Sequence, residues 1–356
     1  TKTDWFLMII FLLLNGSGSV GVFEYRFIFF SLLLLGFMIF TKKENLIRKV
    51  VPFFICYLFV FIMQSFTLKY ISWPGVANNL CRYLSGGLVI VYLGERFRNM
   101  YFNAMFWFSF FGLFFWSIYV STGFSIDLFP SVYQDEIVIW SVRPGEIRNS
   151  GPFWEPGAYA GYLLIIPLLY LNNIKTFFFQ NKSKIIILTI ALISTMSTTG
   201  YLGFALILVY VFGLKDKIRF SSIFLSSIVV IGIWFAASEL DFLGDKVENQ
   251  YNNALLQDGE FSNTRFGALV FDMYYIEKRP IFGNGFHEST RFEDHPALIE
   301  LAENNEMGHG NGFSNMLASV GFFFFVMYIY FIKKKLRVSF RLKDAWFFVI
   351  MIIILL

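Results

Sequence analysis

His309 is the side chain in this 356-residue sequence best suited to move a proton. It stands in Gly308-His309-Gly310-Asn311-Gly312, where three glycines clear space around the imidazole. The run opens a helix, whose positive N-terminal end disfavours imidazolium and keeps the ring neutral, ready to accept a proton. Arg265 is a second candidate. Asn263-Thr264 can cap a helix that Pro280 stops at about Arg279, and a cation in its first turn opposes the helix dipole. A residue set against its local preference points to a task other than helix stability. Arg82 is a third, because an arginine inside an apolar run is costly and by default functional. Spacing argues against other chemistries. His287-Glu288 has no second histidine four positions on, and His287, His295 and His309 lack metal-ligand spacing, so no metal is expected. No GxxxxGK[ST] run occurs, which argues against an ATP-driven pump. Intramembrane proteolysis lacks its signatures too: there is no GxSG, and Phe242-Leu243-Gly244-Asp245 lacks the first glycine of GxGD.

The composition says what holds these residues. Hydrophobic residues make up 56% of the chain and charged residues 15%, with 48 Phe. A soluble domain is typically about 25% charged, and here the apolar residues fall into runs near the ~20 residues that cross a ~30 Å hydrocarbon core. The expected fold is an all-α integral membrane protein of about eleven transmembrane helices. They lie near 4–20, 22–41, 50–68, 76–94, 101–122, 156–171, 185–199, 200–214, 221–238, 311–332 and 345–356. The first and last runs, Trp5–Leu14 and Ala345–Leu356, are short, so both ends are expected to be clipped.

Charge orders the segments. Alternate connections carry Lys42, Lys43, Arg48 and Lys49; Arg96 and Arg98; Lys175, Lys182 and Lys184; and Lys215, Lys217 and Arg219. Lys333, Lys334, Lys335, Arg337, Arg341 and Lys343 complete the set. Against these 18 basic residues stand four acidic ones, Glu44, Glu95, Asp216 and Asp344. The positive-inside rule makes these connections cytoplasmic. Two outer loops, 123–155 and the larger, partly helical 239–310, then separate helical blocks at 1–122, 156–238 and 311–356. A net charge of +4 spread along the chain gives no basic face for nucleic acid. Cys56 and Cys81 make no disulfide framework.

Taken singly, the residues entering the central block have plain readings. Trp154 suits the interface, Glu155 the positive end of a helix begun by Pro156, and Arg148 a snorkelling position. In the larger loop, Phe266, Leu269, Val270 and Met273 recur at helical spacing and form an apolar face. Arg265, Asp272 and Arg279 stand seven apart on another face, expected to be a solvated, salt-bridged stripe or a functional one. Segments 185–199 and 200–214 are short and meet at Ser197-Thr198-Thr199-Gly200. Two readings fit: a pair whose tip dips below the outer surface and lines a cavity, or a tight hairpin at a thin interface.

The order of these pieces is more specific than any of them. R-x-x-G-x-F-x-E-P enters a helix at Arg148 to Pro156, and a Ser/Thr-Gly turn joins short helices at Ser194 to Gly200. An outer helix with an early arginine follows at Asn263-Thr264-Arg265, then P-[IL]-x-G-x-G at Pro280 to Gly285. His309 and Asn311 form H-x-N before a helix that contains Gly321. Over roughly residues 140–330 this arrangement resembles the O-antigen polymerase (Wzy) and O-antigen ligase superfamily.

The resemblance implies a multi-pass GT-C-type glycosyltransferase of the bacterial inner membrane, working on its periplasmic face without nucleotide sugar, metal or other cofactor. A polymerase moves a glycan from undecaprenyl diphosphate to the non-reducing end of another lipid-linked repeat unit; a ligase delivers it to lipid A core. The implied partners are undecaprenyl diphosphate-linked oligosaccharide and membrane lipids, with a chain-length regulator left open. The diphosphate calls for guanidinium groups, whose planar forks match phosphate oxygens. Arg148 and Arg265 are the first candidates, with Arg143 or Arg279 beside them. His309 is the expected general base and Glu155 its reserve. Relatives often carry an arginine at the turn between the short helices, where this chain has Thr198-Thr199-Gly200; Arg82 is a candidate to supply that charge instead. A lipid-linked oligosaccharide flippase, the reading from a different class, would show polar residues in the middle of many helices.

Overall fold

The computed structural model describes residues 2–16, 25–41, 44–68, 73–123, 130–131, 134–137, 147–214, 265–285 and 312–355. Its elements are α1 (Lys2–Gly16), α2 (Arg26–Phe40), α3 (Glu44–Ile47), α4 (Val51–Thr67), α5 (Trp73–Leu93) and α6 (Arg96–Thr122). A short antiparallel hairpin follows, β1 (Pro130–Ser131) with β2 (Gln134–Ile137), a small departure from the all-helical expectation within the first outer loop. Then come α7 (Pro156–Leu169), α8 (Ile174–Gln180), α9 (Lys182–Ser194), α10 (Thr198–Val209), α11 (Arg265–Lys278), α12 (Gly312–Ser339) and α13 (Leu342–Leu355). The expected segment at 221–238 lies outside the described residues; each of the others overlaps a helix.

Local chemistry explains several boundaries. Pro52 and Pro156 sit at the starts of α4 and α7, where a missing N–H costs nothing. Gly123 ends α6 in the left-handed conformation, its N–H donating to Tyr119 O. Among the described residues, Arg96–Thr122 and Gly312–Lys334 are long and apolar enough to cross a membrane. A third qualifies if α7 and the bent segment after it count as one span. Large apolar side chains such as Phe29, Phe40 and Phe66 project outward. Such an exterior suits hydrocarbon better than water.

The chain divides into two compact units. The first is built on Thr1–Leu34 and Ser85–Phe235. In it α6 packs against α1, α7 and α9, and α7 against α10. Asp4, buried in the first turn of α1, pairs with Arg96 at the start of α6. At the other end of α1, Gly16 O accepts from Trp154 N–H (2.7 Å). Tyr170, just after α7, donates to Asn99 Oδ1 (2.7 Å), and Lys184 of α9 donates to Asn103 Oδ1 (2.6 Å). The helix ends that the charge pattern assigns to one side thus meet at one end of this unit.

The second unit is built on Leu35–Leu84 and Ala236–Ile354. Its core joins Tyr57 and Val60 of α4 to Val320 and Phe324 of α12, with Tyr275 and Ile276 of α11 against Leu317 and Ala318. Helix α12 is broken at Gly321 (φ 72°, ψ 173°), inside a segment expected to be continuous. The chain 280–285 lies against the break and takes up its freed backbone groups. Phe322 and Phe323 N–H donate to Pro280 and Ile281 O (2.8 and 3.0 Å). Asn284 and Gly285 N–H donate to Ala318 and Ser319 O (2.8 and 3.2 Å). Gln64 of α4 donates from Nε2 to both Phe282 O (2.6 Å) and Ser319 O (2.8 Å). Unpaired backbone is costly away from water, so the break persists because these groups are satisfied.

Candidate functional site

The R-x-x-G-x-F-x-E-P run folds as a polar plug between helices of the first unit. Trp116 of α6 donates from Nε1 to Ile147 O (2.6 Å). Arg148 Nε donates to Thr195 O (3.3 Å), in the turn between α9 and α10. Asn149 donates from its backbone to Ser194 O (2.9 Å) and from Nδ2 to Ser194 Oγ (2.9 Å), while its Oδ1 accepts from Gly151 N–H (2.9 Å). Gly151 has φ +53°, and its Cα lies 3.3 Å from where a side chain on Gly112 of α6 would begin. Phe153 fills the space beside Gly16 and stacks on Tyr159 and Tyr162, with centroids at 5.4 and 4.5 Å. Glu155 is the N-cap of α7 in extended conformation; its side chain makes no capping bond. The motif therefore turns the chain downward into the bundle and starts the next helix.

The turn that receives Arg148 is built from short polar side chains. Thr195 Oγ1 accepts from Ser197 N–H (3.3 Å), and Ser197 Oγ caps α10 by accepting from Gly200 N–H (3.2 Å). Met196 between them has φ 45°, the one non-glycine residue with positive φ among those described. Asn149, Ser150, Thr195 and Ser197 are all buried, while Arg148 is half-buried. The guanidinium thus bonds to the carbonyl that closes α9, the negative end of that helix, three residues before α10 begins. A guanidinium is also the side chain whose planar fork matches phosphate oxygens.

Depth along α6 adds a second constraint. Gly112 lies ten residues, about 15 Å, below the end of that helix, and Trp116 about 9 Å below it, at ~1.5 Å per residue. At the same rise α7 and α9 cover only about 20 Å each, against a ~30 Å hydrocarbon core. The tip of the short pair falls short of the end of α6, a helix of 27 residues and about 40 Å that itself outreaches the hydrocarbon core. Irregular polar backbone at such depth is tolerated where it is buried or lines a cavity.

The remaining candidates are distributed otherwise. Arg148 and Glu155 belong to the first unit; Arg82, Arg265 and Arg279 belong to the second. Arg143 and all three histidines, His309 among them, lie outside the described residues. Arg265 is the first residue of α11, as its Asn263-Thr264 signal and Pro280 stop suggest; its side chain is likewise outside the described set. Arg279 donates from Nη1 to Asn284 Oδ1 (3.0 Å) and reaches Thr67 O at 3.5 Å. Asn284 in turn donates to Tyr275 O (2.7 Å) and Ala318 O (3.0 Å), so Arg279 braces the broken helix. Arg82 is exposed on α5, within electrostatic reach of the Tyr83 and Tyr328 hydroxyls. One turn before it, Asn78 Oδ1 is buried without a hydrogen bond among the described residues.

One expectation is corrected. Asp272 is not on a solvated stripe: it is fully buried and accepts from Ser314 Oγ (2.6 Å), while Met273, assigned to the apolar face, is exposed. Helix α11 meets α12 through Tyr275 and Ile276, and Asp272, one turn earlier, shares that face opposite Ser314. Sequence reasoning also passed over Asn149, Thr195, Gln64 and Asn284. Of these only Gln64 carried a signal, as a lone amide in an apolar run. Among the described residues no three His, Cys, Asp or Glu side chains gather at metal-binding range. No family model, curated protein or solved structure matches the chain.

Proposed function

We propose that the chain is an O-antigen polymerase of the GT-C type, crossing the bacterial inner membrane about eleven times. It extends a surface polysaccharide on the periplasmic face. The observation that carries this reading is Arg148 bonded to the buried polar turn between α9 and α10. A diphosphate tethered to a membrane lipid has to be met near the hydrocarbon, and a guanidinium beside this turn suits it. In the reaction the acceptor hydroxyl oxygen forms a bond to the anomeric carbon. The bond from that carbon to the diphosphate oxygen breaks, and undecaprenyl diphosphate leaves with the electron pair. Arg148 bears leaving charge in this reading; His309, with Glu155 as reserve, for the hydroxyl proton, and Arg265 with Arg279 or Arg143 for the diphosphate, are the residues that the resemblance implies.

The test is extension of purified lipid-linked repeat units by the purified protein. Extension without lipid A core is expected. Product formed only when core is added would make the chain a ligase, and transbilayer movement without any product would make it a flippase. Arg148→Ala should lower the rate roughly 10- to 150-fold, the effect of one charge-assisted contact of about 1.5–3 kcal/mol. A ladder of normal length from Arg148→Ala would remove the diphosphate assignment.

A further inference from the structure

The opposite end of the first unit carries cations that this chemistry does not use. Tyr170 reaches Asn99 and Lys184 reaches Asn103, so α7 ends, and α9 begins, level with the first two turns of α6. The chain between them has no room to cross further and lies over the end of the bundle; the segment containing α8 bends 61° from α7. Its phenylalanines part company. Phe177 tucks inward, stacked on Tyr170 at 3.7 Å and 4.9 Å from Phe102. Phe179 points away from the bundle, 72% exposed, with Lys182 Nζ 4.0 Å over its ring.

Among the described residues at this end, cations outnumber acids. Lys175 and Lys182 are exposed, and Arg98 lies 5.8 Å over the Tyr170 ring. From Leu171 to Lys184 there is no acidic residue. Of the acids nearby among the described residues of this unit, Asp4 is buried against Arg96, which leaves Glu95. An exposed ring beside exposed ammonium groups matches a lipid surface, the ring entering the acyl boundary while the cations meet phosphate. A soluble anion would account for the lysines and leave Phe179 facing water.

We infer that the α8 segment is a membrane-surface element that selects anionic phospholipid, with Lys175, Lys182 and Arg98 meeting headgroup phosphate and Phe179 buried among acyl chains. This does not depend on the reaction proposed above. The test uses the full chain in neutral detergent, offered phosphatidylglycerol and phosphatidylcholine in equal amounts, with retained lipid counted by native mass spectrometry. Phosphatidylglycerol is expected to be preferred, and each lost cation to reduce that preference about fivefold, the equivalent of about 1 kcal/mol. Lys175→Gln with Lys182→Gln should therefore lower it by well over tenfold, while Phe179→Ser should weaken retention of both lipids alike. Three results would each overturn the inference: equal retention of the two lipids by the unaltered chain, an unchanged preference in the double variant, or displacement of phosphatidylglycerol by inorganic phosphate.

Discussion

A guanidinium bonded to a backbone carbonyl keeps its charge, and Arg148 is so bonded to Thr195. Its neighbour Asn149 has the opposite character: buried, with bonds to Ser194 and Gly151 that tie the loop to the turn. Adjacent substitutions should therefore separate. Asn149→Ala leaves buried groups unmatched and should cost about 2–3 kcal/mol, seen as a lower unfolding temperature in detergent. Arg148→Ala should stay within about 1 kcal/mol of the parent stability while losing extension activity. Arg148→Lys restores a point charge without the planar fork, so partial activity is expected. Equal destabilisation by Asn149→Ala and Arg148→Ala would mean that the arginine only braces the loop. Arginine type and position were readable in the sequence; its partner was not. A backbone carbonyl in a distant turn has no side-chain signature, and Asn149 and Thr195 look like ordinary loop residues until the fold brings them together.

At the scale of elements, α12 depends on two glycines that face one another. A side chain on Gly321 (φ +72°) would begin 2.6 Å from Gly283 N, and one on Gly283 (φ +75°) would begin 2.7 Å from Gly321 N. Backbone lies on both sides, so neither clash can be relieved by a rotamer change. Gly321→Ala should cost at least about 3 kcal/mol from left-handed strain and overlap together. Gly36→Ala, in α2 with nothing within 4 Å, should be neutral or stabilising by up to about 1 kcal/mol. The comparison is read from unfolding temperatures of the two purified variants, and a stable Gly321→Ala protein would mean the break is not held by this contact. Helix existence was legible because twenty-residue apolar runs leave little choice of structure in hydrocarbon. The break was not, since hydropathy averages over a window and Gly321 does not change the average. The same blindness hid the inward face of Asp272, whose burial is set by Ser314 on a helix about 40 residues away.

For the whole molecule the question is where water reaches. Charge asymmetry in the connections was enough to anticipate which ends of α1, α6, α7 and α9 meet, because lysine and arginine carry that information without reference to packing. It says nothing of depth, which depends on helix lengths relative to one another. If the plug over Arg148 opens to the outer face, it lies at the base of a water-filled recess, and residues at one height on α6 should differ in chemical reactivity. Ile147, whose carbonyl accepts from Trp116, stands in the plug; Phe114, two residues below Trp116, projects from α6. In a background with Cys56 and Cys81 replaced by alanine, Ile147→Cys should react with a membrane-impermeant maleimide added to spheroplasts. Phe114→Cys should not, because lipid excludes both the reagent and the thiolate it requires. Reaction at both sites would put that whole stretch of α6 above the bilayer. Reaction at neither would seal the loop from water and leave a lipid-linked diphosphate no route to Arg148.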